Sequence, residues 1–267
     1  MSGHSKWSTI KHKKGALDAK RGKLFTKLSK EIIVAARDGG GESESNFKLR
    51  LAIQNAKDAN MPNENIQRSI AKGSGKETGG SSLEEITYEA YGPGGSALLI
   101  QALTDNRNRT AAEVRSTLTK NSGNLAETGS VSWGFESKGT INIETDKTLT
   151  EETALSGIDQ GAEDFEINSD VITFYTTLEN FEDLRKNLTK IDSAKLLNSQ
   201  IEMVPKSFLS LEKNISLKTL KLMENLEDLD DVQKVFSNID ITDEIIESFE
   251  NENWKCHLII TLPHLSL

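Results

Sequence analysis

Two stretches carry residue types suited to holding an anion. Residues 1–30, MSGHSKWSTIKHKKGALDAKRGKLFTKLSK, set Lys6, Lys11, Lys13, Lys14, Lys20, Arg21, Lys23, Lys27 and Lys30 against one acid, Asp18. Lysines at this density neutralise phosphates and release counterions, which gives salt-sensitive and largely sequence-independent affinity. Trp7 could stack on an unpaired base or pack against neighbouring helices. The second stretch is Thr104-Asp105-Asn106-Arg107-Asn108-Arg109, a loop expected just ahead of a helix. Its two guanidinium forks suit bidentate phosphate or base-edge contacts. Each stretch also has a plainer reading. The arm could be a solvated tail, and Arg107 and Arg109 could pair with carboxylates of the body while Asp105 and the asparagines shape the turn.

Catalytic chemistry has little to stand on. His4, His12, His257 and His264 lie near the ends, and Cys256-His257 has no second Cys/His cluster to complete a zinc site. No catalytic residue, no metal site and no cofactor is expected, so the chain reads as a non-enzyme. Gly92-Pro93-Gly94-Gly95 lacks the spacing and the lysine of a phosphate loop and reads as a hairpin turn. Glu84, Glu85 and Glu89 read as a solvated acidic face.

The elements that must position these residues follow from pattern. Leu24, Leu28, Ile32 and Ala35/Ala36 recur at helical spacing, which predicts an amphipathic helix ended by Asp38-Gly39-Gly40-Gly41. Phe47, Leu49, Leu51, Ile53 and Ala56 predict a second helix ending before Asn60-Met61-Pro62. Asn63 is expected to cap a third, with Ile66 and Ile70, closed by Gly73 and Gly75. After the linker-like GSGKETGGSS, strands at 86–91 and 97–103 flank the glycine-rich turn. Thr110-Ala-Ala-Glu113 has capping-box spacing ahead of Val114 and Leu118. From Gly139 the order strand 139–145, helix 149–160, strands 164–168 and 171–176, helix 178–190 and strand 196–204 is βαββαβ, the ferredoxin-like unit. A leucine-rich helix around 217–226 and a strand at 232–239 come next.

These elements predict an α+β protein. An N-terminal three-helix domain (1–76) is followed by two ferredoxin-like α/β domains, the third (139–205) inserted in the second (77–138 with 206–242). Residues 243–267 form an unassigned extension.

At 267 residues the chain exceeds one ordinary core. Residues 1–76 hold 16 Lys and Arg against 7 Asp and Glu, a net of +9, inside a protein of formal charge −9. A basic module on an acidic body implies a polyanion partner. No window approaches the roughly 20 apolar residues of a spanning helix, so no membrane is expected. The single cysteine fits a reducing compartment. Lysines interleaved with apolar residues and broken by Gly3, Gly15 and Gly22 argue against a targeting peptide.

The opening MSGHSKWSTIKHKKGALDAKRGKLFTKLSKEI, Asn60-Met61-Pro62 with Asn65-Ile66, YEAYGPGGSALLIQALTDNRNRTAAEVR, GNLAETGSVSW with Phe135, and Gln160-Gly161-Ala162-Glu163-Asp164 closely resemble the YebC/PmpR family, which also holds the mitochondrial translational activators of cytochrome oxidase. The resemblance spans roughly residues 1–240 and thins beyond Asp240. It implies three domains and no enzyme activity. It also implies a DNA-binding transcriptional regulator of the cytoplasm, or a ribosome-associated translation factor easing synthesis of difficult, often proline-rich, stretches. Nucleic acid, DNA or ribosomal RNA with the ribosome carrying it, is the expected partner, and the oligomeric state is left open. The absence of a presequence ahead of MSGHSKW implies a bacterial cytoplasmic member. Lys6, Trp7, Lys11, Lys13, Lys14, Lys20, Arg21, Lys23, Lys27, Arg107 and Arg109 are the expected contacts. Contact with structured RNA or the ribosome is the preferred mechanism, since the arm lacks a clear recognition helix.

Overall fold

A computed structural model describes residues 18–75, 83–146, 148–168, 170–191, 194–249 and 251. Lys6, Trp7, Lys11, Lys13 and Lys14 lie outside the described residues. So does the side chain of Lys20.

The chain begins with α1 (Asp18–Gly39), α2 (Phe47–Asp58) and α3 (Asn63–Gly73). The expected spacing buries Leu28, Ile32, Ala35 and Ala36 of α1 against Leu49, Ala52 and Ala56 of α2, with Met61 and Ile66 closing the bundle. Asn46 caps α2, its carboxamide oxygen accepting the Leu49 N–H at 3.0 Å. The N-cap of α3 is Pro62, not Asn63. Asn63 already has helical backbone, so its side chain cannot close the first turn. Gly73 lets α3 run against the α1 backbone, since an added Cβ there would strike the Ile33 carbonyl oxygen.

Two four-stranded antiparallel sheets follow. The first joins β1 (Glu84–Tyr91), β2 (Ala97–Thr104), the two-residue β3 (Asn124–Leu125) and β8 (Val232–Ser237) in the order β3-β1-β2-β8. α4 (Arg107–Lys120) and α7 (Lys213–Glu227) cover one face, over Ala90, Leu98, Ile100, Val114, Leu118, Leu220 and Val235. Ile245 and Phe249, in a helical stretch at residues 243–249, complete that core. The glycine-rich connection is a single 3-10 turn (Pro93–Gly95) packed beneath Leu211 and Ile215. Pro93 is buried, while Gly94 and Gly95 stay at the surface.

Between β3 and α7 the chain builds the second sheet from β4 (Phe135–Thr145), α5 (Thr150–Asp159), β5 (Asp164–Asn168), β6 (Val171–Thr176), α6 (Phe181–Leu188) and β7 (Ala194–Pro205). Its strand order β5-β6-β4-β7 is that of a βαββαβ ferredoxin-like unit, inserted in the first.

The bundle touches both sheets. Ile33 and Val34, on a second apolar face of α1, pack with Leu83 and Leu103 at the edge of the first unit. Phe47 of α2 meets Phe181 of α6 edge-on at 6.1 Å between ring centres, with Leu51 beside it. A helix buried on two faces must serve two cores, so α1 is the spine that joins the basic module to the body.

Candidate nucleic-acid interface

The segment ending β2 and starting α4 was expected as an arginine loop capped at Thr110. The structure caps the helix four residues earlier. Asn106 is the N-cap, its side chain accepting the Arg109 N–H at 3.1 Å, and Arg107 and Arg109 stand in the first turn. Thr110 lies inside the helix and is fully buried. Asparagine and threonine are both good caps, and chain geometry decides between them: β2 runs to Thr104, so Asn106 is the residue leaving the strand.

Thr110 instead joins a polar network around Asp231. The Asp231 Oδ2 atom accepts from the Thr104 and Thr110 hydroxyls at 3.0 and 2.8 Å and from Arg109 Nη2 at 2.7 Å. Its Oδ1 atom accepts from Lys30 Nζ at 2.7 Å. The Asp231 side chain is 6% exposed. Burial alone would raise its pKa, but the Arg109, Lys30 and Thr110 bonds prevail and hold the carboxyl well below the usual carboxylate range. Arg109, bound also to Asp105 at 2.8 Å, is raised above an ordinary guanidinium by the same bond to Asp231.

Lys23, Lys27 and Lys30 recur at four- and three-residue spacing and so share one face of α1. That face lies over the C-terminal end of α7. Lys27 Nζ donates to the Glu227 carbonyl, Lys23 Nζ to that of Asp228 at 3.3 Å, and Lys30 Nζ to that of Asp230 at 3.0 Å. Cations at a helix C-terminus meet the negative end of its dipole and its unpaired carbonyls. Beside these lysines an open cleft of about 830 Å³ is lined by Thr26, Lys30, Arg109 and Glu113 together with residues 228–231.

The structure therefore brings Lys23, Lys27, Lys30 and Arg109 together on one acidic corner. Arg107 stands apart, with a 71% exposed side chain and only a 3.9 Å approach to Glu84. Arg21 lies over the Phe25 ring at 5.4 Å on exposed helix surface. Asp231 was missed from the sequence, its only signal being the acidic run Glu227-Asp228-Leu229-Asp230-Asp231 between helix and strand.

A second correction concerns the acidic face of β1. Glu84 and Glu85 are exposed, but Glu89 is 5% exposed. Its carboxylate accepts the backbone N–H groups of Gly129, Val131 and Ser132 at 2.7, 2.6 and 2.9 Å. Burial pushes this carboxyl up, but the three N–H bonds outweigh it and hold the pKa below its ordinary value.

Among the described residues no group of three or more His, Cys, Asp or Glu could hold a metal ion, and no helix is long and apolar enough to cross a membrane.

Comparison with known proteins decides the lineage. A model of the TACO1/YebC N-terminal domain matches residues 5–76, and one of the TACO1/YebC second and third domains matches residues 83–239. The chain belongs to the TACO1/YebC family. Relatives named as probable transcriptional regulatory proteins include one from Dehalococcoides mccartyi, 51% identical over 94% of this chain and 100% of its own length. Another, from Dictyoglomus turgidum, is 50% identical over 93% of this chain and 99% of its own length. The fold is shared with a conserved hypothetical protein of Aquifex aeolicus known from a crystal structure. Its TM-score is 0.77 at 45% identity, over 85% of this chain and 93% of that one. The family's regulatory naming makes this chain a relative of regulators, and nothing in that naming is enzymatic.

Proposed function

We propose that this TACO1/YebC-family chain regulates gene expression by binding nucleic acid through its basic N-terminal module, without catalysis. One observation carries the reading: residues 1–76 have a net charge of +9 in a chain whose total is −9. Such separation of sign attracts a polyanion to one end and repels it from the other, so it orients docking as well as promoting it. Lys6, Trp7, Lys11, Lys13 and Lys14 supply the leading contacts. Arg21 and Arg107 extend them across exposed surface, and Lys20, Lys23, Lys27 and Arg109 add to the positive rim. The body divides functionally into residues 77–138 with 206–242, and the inserted residues 139–205.

RNA, and the ribosome as its carrier, is the preferred partner within this reading. A duplex reader inserts the free face of a helix into the major groove. The lysine face of α1 is instead seated on the corner at residues 227–231, which leaves it poorly placed for that role. Crosslinking in cells followed by sequencing of bound RNA and bound DNA tests the proposal. Enrichment of ribosomal RNA is the expected result. Recovery of promoter DNA alone would favour transcriptional control, and enrichment of neither would refute nucleic-acid binding altogether.

A further inference from the structure

The segment GNLAETGSVSW belongs to no part of the basic module, yet it builds an unusual surface. Trp133 is 73% exposed and Tyr91 37% exposed. Both point their polar edges at one atom: Tyr91 Oη and Trp133 Nε1 donate to the Ser130 carbonyl at 3.3 and 3.0 Å. The loop carrying that carbonyl is fixed from below. Glu89 holds three of its backbone N–H groups, and Val131 and Phe135 are buried against Leu99 and Phe236. Lys206, the residue that follows β7, ties the loop to the chain returning from the inserted unit, its backbone N–H donating to the Gly134 carbonyl at 2.8 Å and its Nζ to the Trp133 carbonyl at 3.0 Å.

An exposed indole on so constrained a loop keeps its large area open without the entropic cost of ordering it on binding. With both ring donors spent on Ser130, the faces of the rings remain for binding. The side chains bond to Ser130 and the Trp133 backbone to Lys206, both polar partners. An exposed lysine held on the backbone carbonyl of an exposed tryptophan suits a flat π-system attached to a phosphate.

We propose that Trp133, with Tyr91 beside it, is a stacking platform for an unpaired nucleobase, with Lys206 reaching the adjoining phosphate. The inference rests on the nucleic-acid reading above and deepens it, because it selects single-stranded segments over paired ones. A base inside a duplex has both faces covered and cannot use such a platform.

The test is equilibrium binding of the full chain to a single-stranded oligouridylate of about a dozen nucleotides and to a duplex RNA of equal length. Trp133→Ala is expected to weaken single-strand binding about fivefold to 150-fold, the range for removing one stacked base, and to leave duplex binding unchanged. Trp133→Phe should keep most of the affinity. Lys206→Ala should lower the salt slope of single-strand binding by about 0.7, the value for one neutralised phosphate. If the wild type binds single strands and Trp133→Ala binds them equally well, the platform is refuted, as it would be if the loop served a protein partner, while the nucleic-acid reading stands. If the wild type binds neither RNA, the preference for RNA fails and the platform with it.

Discussion

Replacing Asp231 should loosen the hold of α1 on the body. Asp231→Ala removes the acceptor shared by Lys30, Arg109, Thr104 and Thr110. Taking one partner from a buried ion pair costs about 3 to 5 kcal/mol. The lower end applies here because the donors keep other acceptors: Lys30 retains the carbonyls of Asp230 and Leu103, and Arg109 retains Asp105. About 3 kcal/mol corresponds to a fall in melting temperature of roughly 6 to 12 °C for a chain of about 150 to 250 residues, and 267 residues put the expected shift at the lower end. Urea unfolding followed by circular dichroism measures the loss without screening the ion pairs. Amide hydrogen exchange should accelerate in the Lys23 to Lys30 part of α1. Asp231→Asn adds a pH signature. A carboxyl whose folded pKa is depressed stabilises fully above its unfolded value of about 4, and that stability is lost as pH falls toward the folded value. The gap between wild type and Asp231→Asn should therefore be full at neutral pH and narrow below about pH 4. A loss under about 0.5 kcal/mol in Asp231→Ala, the range of ordinary surface substitutions, with unchanged exchange in α1 would refute the role given to this corner.

Two further outcomes follow from carboxyls with opposite environments. Glu89→Gln replaces an oxygen that accepts backbone N–H groups with an amide that cannot, so at least one buried donor at residues 129–132 loses its partner. Stability should fall by about 2 kcal/mol, with faster exchange confined to that loop. The effect should be present at neutral pH and fade as pH drops below the unfolded glutamate range. Glu31, on α1, has its pKa raised by burial despite the opposing charges of Lys234 and Lys27. Its ionised form is thus disfavoured in the folded chain, and Glu31→Gln should raise the urea midpoint at neutral pH. An unchanged or lower midpoint would contradict that assignment.

The helices of the bundle and the strands of the inserted sheet were legible because each is written in local periodicity: Leu28, Ile32 and Ala36 in α1, Ile141 and Ile143 in β4, and Ile172 and Phe174 in β6. The cap of α4 was not, since Asn106 and Thr110 are both competent caps and only the end of β2 chooses between them. Asp231 was illegible for a deeper reason. Its role depends on Lys30, residues 104–110 and the α7–β8 junction meeting in space, and nothing within a window of sequence brings them together. Glu89 illustrates the same limit, for a glutamate in a strand reads as solvated until a distant loop supplies three N–H groups. Within TDNRNRT the structure shows a packing duty that the sequence does not display. Arg109 and the two threonines hold the body to α1, while Arg107 stays at the open surface.

The central claim is that the basic N-terminal module captures nucleic acid by neutralising phosphates. The most direct test is the salt dependence of binding to a single-stranded RNA for the wild-type chain and for a chain with Lys11, Lys13 and Lys14 changed to Ala. Each phosphate that is no longer neutralised should reduce the slope of log affinity against log salt by about 0.7, so three should reduce it by about 2. Weaker binding with a slope shallower by that amount is the predicted result. Equal affinities and equal slopes for the two chains would contradict the account.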